Sequence, residues 1–294
     1  MAEPMSMPSL KSIFRFPFQG AGWEKRFLIG VGITFLNFII PIVPGVFVGG
    51  YTLEVMRRAV RGEELSLPDW TDWGKLGMDG LKYLLVNLIF LLPGSLIYVG
   101  GFLFYFIVTF GFSFGSAVAQ NSNGFESTFV PVFLLSMAIF IISMFLGPLL
   151  FLLGAIPLPA ALANLANEDR LAAGFRLRQW WPALWKNKLG YFIAWTIVFG
   201  LSFIIYMATF TAYISCILCW LIPFLIAPLG FYVSLVYAAL FGLTFRDSLE
   251  SLAAEKPVEP QPEAGEPAQP EAQPEASEPP QTELPGGVKE VPQG

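Results

Sequence analysis

The 294-residue chain contains no histidine. Without imidazole there can be no His-based zinc site, no His-ligated haem and no Ser-His or Cys-His catalytic pair. Charge is also scarce. Asp, Glu, Lys and Arg make up 13% of the residues, against about 25% in an ordinary soluble domain, which argues against a soluble enzyme. Cysteine occurs only as Cys216 and Cys219, inside an apolar run, so no disulfide framework is implied. There is no Walker A sequence and no nucleotide-binding glycine motif behind a soluble strand. Apolar residues are abundant instead: 55% of the chain is hydrophobic and the mean hydropathy is +0.61.

The net charge of −5 is unevenly placed. Residues 255–294 hold nine Glu, two Lys and ten Pro, a net of −7, so the rest of the chain carries +2. The Q-P-E-A unit recurs at 261, 269 and 273. A Pro-rich, acidic segment without aromatics cannot bury enough apolar surface to fold. We therefore read 254–294 as a disordered tail, either a spacer or a docking segment for a protein partner.

Four apolar stretches have uncharged interiors: Leu81 to Val118 (with Lys82 at its start), Thr128 to Ala163, Leu189 to Ala212, and Ile217 to Phe245. A fifth runs from Phe27 to Tyr51. About 20 apolar residues cross the roughly 30 Å of hydrocarbon. The first two stretches are longer than that, and Pro93-Gly94, Pro148, Pro157 and Pro159 offer break points. Each is then a kinked, protruding helix or a tight hairpin.

Charge distribution selects one crossing for each of the four. Basic residues cluster in the N-terminal lead, in 52–82 and in 164–188, whereas 119–127 and 213–216 have none. Short cytoplasmic loops collect Lys and Arg. Placing all three basic regions on that side also requires Phe27 to Tyr51 to enter and return, turning at Pro41-Ile-Val-Pro44-Gly45. The expectation is a hairpin of two helices, from about Trp23 to Ile40 and from Val46 to about Val60, crossing or re-entering. A single straight crossing, with 52–82 outside, is the competing reading. The polar lead of 26 residues, with no small-residue cleavage site after the apolar part, does not read as a cleavable signal peptide.

The two basic loops carry most of the polar information. In 49–85, Arg57, Arg58 and Arg61 end a helix that leaves the membrane, a position suited to anionic head groups. Pro68-Asp69-Trp70-Thr71-Asp72-Trp73 follows as a turn whose tryptophans suit the membrane interface, with Asp69 or Thr71 as the cap of the next helix. In 166–192, Arg176 and Arg178 again stand beside aromatics. Together Arg57, Arg58, Arg61, Arg176 and Arg178 are candidate anionic-lipid contacts, and Pro68, Asp69, Trp70, Asp72 and Trp73 form a candidate interfacial motif. Lipid head groups suit these arginines better than nucleic acid.

The order of these features, with P-L-P-A-A-L-A-N at 157–164, G-F-R-L-R at 174–178 and P-L-G-F-Y-V-S-L-V-Y at 228–237, resembles a prokaryotic family of multi-pass membrane proteins classed as a domain of unknown function. In that family a P-x-W-x-D-W motif precedes a G-L-K span. The resemblance covers about residues 10–250 and implies a helical protein of the prokaryotic cytoplasmic membrane. It marks Pro68, Trp70, Asp72, Trp73 and Gly80, and brings no activity and no functional residue.

Chemistry inside the membrane requires Asp, Glu, Lys, Arg or His within spans, and from Tyr83 onward the spans have none. Asn37 and Asn87 read as interhelical hydrogen-bonding groups. Cys216 and Cys219 have C-x-x-C spacing but no nearby base and no further soft ligand, so they read as core residues. Gly45 with Gly49, and Gly111 with Gly115, permit close helix approach within one protomer or across a dimer.

The expected architecture is an all-α integral membrane bundle of about six helices. It divides into an N-terminal interfacial segment (1–22), a helical hairpin (23–62), a four-span domain (63–253) with cytoplasmic loops 63–82 and 164–188, and the disordered tail (254–294). Both termini are expected in the cytoplasm. The expected function is non-enzymatic, with no catalytic, cofactor or metal residue, and consists in organising lipid or partner proteins. A channel or carrier for an uncharged substrate, built on proline-broken helices, is the alternative.

Overall fold

The computed structural model of the chain describes residues 10–118, 123–214 and 220–255. The acidic tail after Glu255, both cysteines and the first part of the 119–127 loop lie outside the described residues, while Ala254 and Glu255 complete the last helix. The elements are α1 (Leu10–Arg15), α2 (Trp23–Leu36), α3 (Val43–Arg61), α4 (Trp73–Val118), α5 (Asn123–Ala155), α6 (Leu158–Glu168), α7 (Leu171–Gly174), α8 (Leu177–Lys186), α9 (Lys188–Ile214) and α10 (Ile222–Glu255). Strands are absent among the described residues.

Four helices are long and apolar enough to cross a membrane: most of α4, α5 running on into α6, α9 and α10. At 1.5 Å per residue, α4 extends about 69 Å, because its 46 residues form one unbroken helix. Pro93 in α4, Pro131 and Pro148 in α5 and Pro228 in α10 all sit inside continuous helices.

α4 and α5 form an antiparallel pair made close by glycine. A Cβ built on Gly94 would lie 2.4 Å from the Phe151 nitrogen, and one on Gly154 would lie 2.0 Å from the Phe90 oxygen. Gly101 and Gly147 repeat the arrangement seven residues along each helix, against Ser143 and Tyr98. Small residues at such spacing let helix backbones approach closely.

The expected N-terminal hairpin is present with shifted ends. α2 stops at Leu36 and α3 starts at Val43, because the turn between them holds Ile42 at φ 78°. Neither arm is among the four helices suited to crossing. α3 is instead the central core helix, packed by α2, α4, α6 and α10, with Tyr51, Leu53, Val55, Met56 and Ala59 all buried. It ends at Gly62 in the left-handed region, where the N–H groups of Gly62 and Glu63 bond the Ala59 and Arg58 carbonyls.

Among the described residues the elements beyond the expected hairpin and four long helices are α1, α6, α7 and α8. α4 already begins at Trp73, so the first loop shortens to 63–72. The Asp72 carboxylate accepts the Lys75 N–H at 2.9 Å and caps that helix, where Asp69 or Thr71 was expected. The second loop contains the end of α6, all of α7 and all of α8. α6 separates from α5 at Ile156-Pro157 and is buried from Leu158 to Ala166. Within the described part of the expected interfacial segment, Ile13 and Phe16 are buried, and the Tyr232 hydroxyl of α10 donates to the Phe14 carbonyl at 3.1 Å.

Three-dimensionally, α1 to α3 and α6 to α8 gather with the second half of α10 into a base that holds the apolar core and the ion pairs. From it leave two apolar arms, α4–α5 and α9–α10. Each arm is packed internally, and neither α4 nor α5 is extensively packed against α9 or α10.

Candidate functional site

The sequence motif sits in the base and splits into different roles. Trp70 is 7% exposed. Its ring stacks on Tyr51 with centroids 4.1 Å apart, and its indole N–H donates to the Arg26 carbonyl at 2.8 Å. The Tyr51 hydroxyl donates to the Pro68 carbonyl at 2.8 Å, and Arg26 pairs with Asp69 at 2.6 Å. Both the face and the polar edge of Trp70 are therefore satisfied by protein. Trp73 is 45% exposed, in contact with the rings of Phe47 and Trp70. The motif latches loop 63–72 across α2 and α3.

Beside it lies a group of ion pairs centred on Arg57, which is 2% exposed. Its Nη2 donates to Asp79 Oδ2 at 2.8 Å and to Asp169 Oδ1 at 2.9 Å, and its Nη1 donates to Glu54. Lys82 reaches Asp79 at 3.0 Å and Asp169 at 3.3 Å, and Lys75 reaches Glu54 at 3.0 Å. Three cations thus meet three carboxylates, joining α3, the first turns of α4 and the α6–α7 corner. A buried charge is tolerable only with such pairing. Asp169 closes α6 at φ 56°, donating its N–H to the Leu165 carbonyl at 2.9 Å. Burial disfavours the Asp169 carboxylate, but Arg57 and Lys82 outweigh it and hold its pKa below the ordinary value. Glu54 is lowered in the same way, burial being outweighed by Lys75 and Arg57. Every carboxylate in the group is engaged by at least two cations, an arrangement that locks segments together.

Arg57 is consequently turned into the protein, and its side chain is not offered to head groups. The other four arginines stay at or near the surface. Arg58 is half-buried against Ser66, Arg61 is exposed at the end of α3, Arg176 pairs with Glu168 at 3.3 Å, and Arg178 is exposed. Glu54, Asp79 and Asp169 were not singled out from the sequence. The three-residue spacings Glu54–Arg57 and Asp79–Lys82 were the available signals. For Asp169 there was none. Asn87 donates to the Tyr83 carbonyl of its own helix at 2.8 Å, where an interhelical bond was expected. The interhelical role falls to Asn164, which donates to the Ala173 carbonyl at 2.9 Å and to Gln179 at 3.2 Å.

Above the base, α5, α8 and α9 enclose an apolar cleft of about 810 Å³. Its walls include Leu152 of α5 and Ile156 just after it, and Tyr191, Trp195, Phe199 and Gly200 of α9, with Trp185 and Lys188 at the base end. α8 beside it has two faces. Trp180 and Ala183 are buried, while Leu177, Trp181 and Trp185 form an exposed stripe at four-residue spacing. Among the described residues no three His, Cys, Asp or Glu side chains are arranged to hold a metal ion.

The family described as "Protein of unknown function (DUF4013)" matches residues 33–214, more than half of the chain, and the chain belongs to it. The matched segment runs from within α2 to the end of α9 and leaves out α10. No curated protein and no solved structure matches the chain.

Proposed function

We propose that this member of the DUF4013 family is a non-enzymatic integral membrane protein that organises lipid around its two apolar arms, with the base on the cytoplasmic side of a prokaryotic inner membrane. The observation that carries this reading is the divergence of α4–α5 from α9–α10 above a locked base, which leaves the apolar cleft between α5 and α9. In a bilayer such a gap is filled by lipid. The exposed Leu177–Trp181–Trp185 stripe of α8 suits the interface level, where aromatic rings are half buried. The charged residues of the Arg57 group tie the base together and leave none of its carboxylates free for proton-transfer chemistry. Transport through half-helix ends is less well supported, because Pro93, Pro148 and Pro228 lie within continuous helices.

The test is native mass spectrometry of the full chain after exchange into a delipidating detergent. Lipid retained in whole-number stoichiometry supports the reading. A lipid-free chain that, once reconstituted, mediates solute flux across vesicles would replace it with the carrier.

A further inference from the structure

We infer that the cleft between α5, α8 and α9 is a binding site for one anionic glycerophospholipid of the base-side leaflet, with its phosphate at Lys188 and an acyl chain lying along α9 to Gly200. This rests on the proposed membrane function and names the lipid class and the site.

Depth is the first support. From Lys188 to Gly200 the wall of α9 rises about 18 Å at 1.5 Å per residue, close to the roughly 15 Å of hydrocarbon in one leaflet. The cleft volume of about 810 Å³ falls in the range of roughly 300–1,000 Å³ that holds a small amphiphile. α8, with Trp181 and Trp185 outward, marks the head-group level at the cleft's mouth.

Charge is the second. Lys186 is taken by Glu255, whereas Lys188 is exposed and has no acidic partner among the described residues. It is a free cation at the entrance of an otherwise apolar cleft, and phosphate is the complement.

The third is the aromatic lining below the lysine. Tyr191, Phe192, Trp195 and Phe199 of α9 follow Lys188 down the cleft wall and face Leu152 and Ile156 across it. Such a wall is the complement of an acyl chain and offers no polar group to a soluble anion.

The experiment reconstitutes the full chain in phosphatidylcholine vesicles containing phosphatidylglycerol with a diazirine on its acyl chain, followed by irradiation and peptide mapping. We expect adducts on the peptides bearing Leu152–Ile156 and Tyr191–Gly200, competed away by unlabelled phosphatidylglycerol and not by added phosphatidylcholine. Lys188→Gln should lower adduct yield about fivefold, the equivalent of about 1 kcal/mol for one basic residue at an anionic surface. Gly200→Leu should abolish these adducts without unfolding the chain, because a Cβ there meets nothing within 4 Å. Adducts spread evenly along the exposed faces of α4 and α5 would overturn the site, and equal competition by phosphatidylcholine would overturn the anionic selectivity. Either result leaves the broader lipid-organising reading standing if native mass spectrometry still shows retained lipid. Loss of both signals would defeat both.

Discussion

Arg57, near the end of α3, donates to Asp169 at the corner between α6 and α7 across 112 positions of sequence, at 2.9 Å. The same guanidinium nitrogen bonds Asp79 in α4, so one side chain ties together three segments from which the two arms depart. Removing one member of a buried ion group leaves the others uncompensated, typically at a cost of about 3–5 kcal/mol. Arg57→Gln should therefore be severely destabilising, and Asp79→Asn nearly as much. Asp169→Asn should cost less, about 1 kcal/mol after screening of its half-exposed carboxylate. Thermal unfolding in a mild detergent orders the three. Equal melting temperatures for Arg57→Gln and the unsubstituted chain would show that the group holds nothing together.

The same group sets a pH dependence. Asp169 and Glu54 have folded-state pKa values below their ordinary values of 3.8 and 4.5. A depressed carboxylate contributes stability that is fully present above its unfolded value and lost as pH falls through the folded one. We expect the melting temperature to hold from pH 8 down to about pH 5 and then decline, and Lys75→Gln to make the decline shallower. A melting temperature that rises on acidification would reverse the sign assigned here.

Two glycines govern the crossing of α3 and α4. A Cβ on Gly50 would lie 1.9 Å from the Leu76 oxygen, and one on Gly80 would lie 1.8 Å from the Val46 oxygen. Backbone faces backbone, and neither can yield cheaply. Gly80→Ala should cost about 1–3 kcal/mol or more, whereas Gly200→Ala, with open space around it, should be neutral or slightly stabilising. Folded yield and melting temperature of the two variants give the comparison.

The two motif tryptophans should behave unequally. Trp70→Ala removes a buried ring and is expected to cost about 3–5 kcal/mol. Trp70→Phe keeps the stack on Tyr51 and loses one hydrogen bond, worth about 1 kcal/mol. Trp73→Ala, at a half-exposed ring, should be milder than Trp70→Ala. If the two alanine variants melted alike, Trp70 would not be the latch.

The proposed orientation is open to chemical labelling. In a chain with Cys216 and Cys219 replaced, a cysteine at the exposed Glu64 should resist a membrane-impermeant thiol reagent in intact cells, and a cysteine at Ser122 should react. Labelling at 64 would place the base outside.

The long helices could be read from sequence because uncharged runs of such length have few other uses. The base could not. Gly49-Gly50-Tyr51 and Pro157 to Ala163 are as apolar as a membrane span, yet they form a protein core, and hydropathy does not distinguish burial in lipid from burial in protein. Pro157 separates α6 from α5 without interrupting the apolar run. Trp70 and Trp73 are the same residue type three positions apart, and only the position of Tyr51 and the Arg26 carbonyl decides which is buried. Arg57 looked like Arg58 and Arg61 because its partners, Asp79 and Asp169, lie on other helices. The cleft required the divergence of α5 from α9, a tertiary fact with no local signature, although Lys188 was already visible at the start of its span.

The most direct measurement is a cryo-electron microscopy map of the full chain in a nanodisc containing phosphatidylglycerol and phosphatidylcholine. The proposal predicts two separated arms with lipid density between α5 and α9, its head group within reach of Lys188 and its chain passing Tyr191 toward Gly200. Arms closed on each other by direct packing of α5 on α9, or a water-filled passage crossing the bilayer between them, would contradict it.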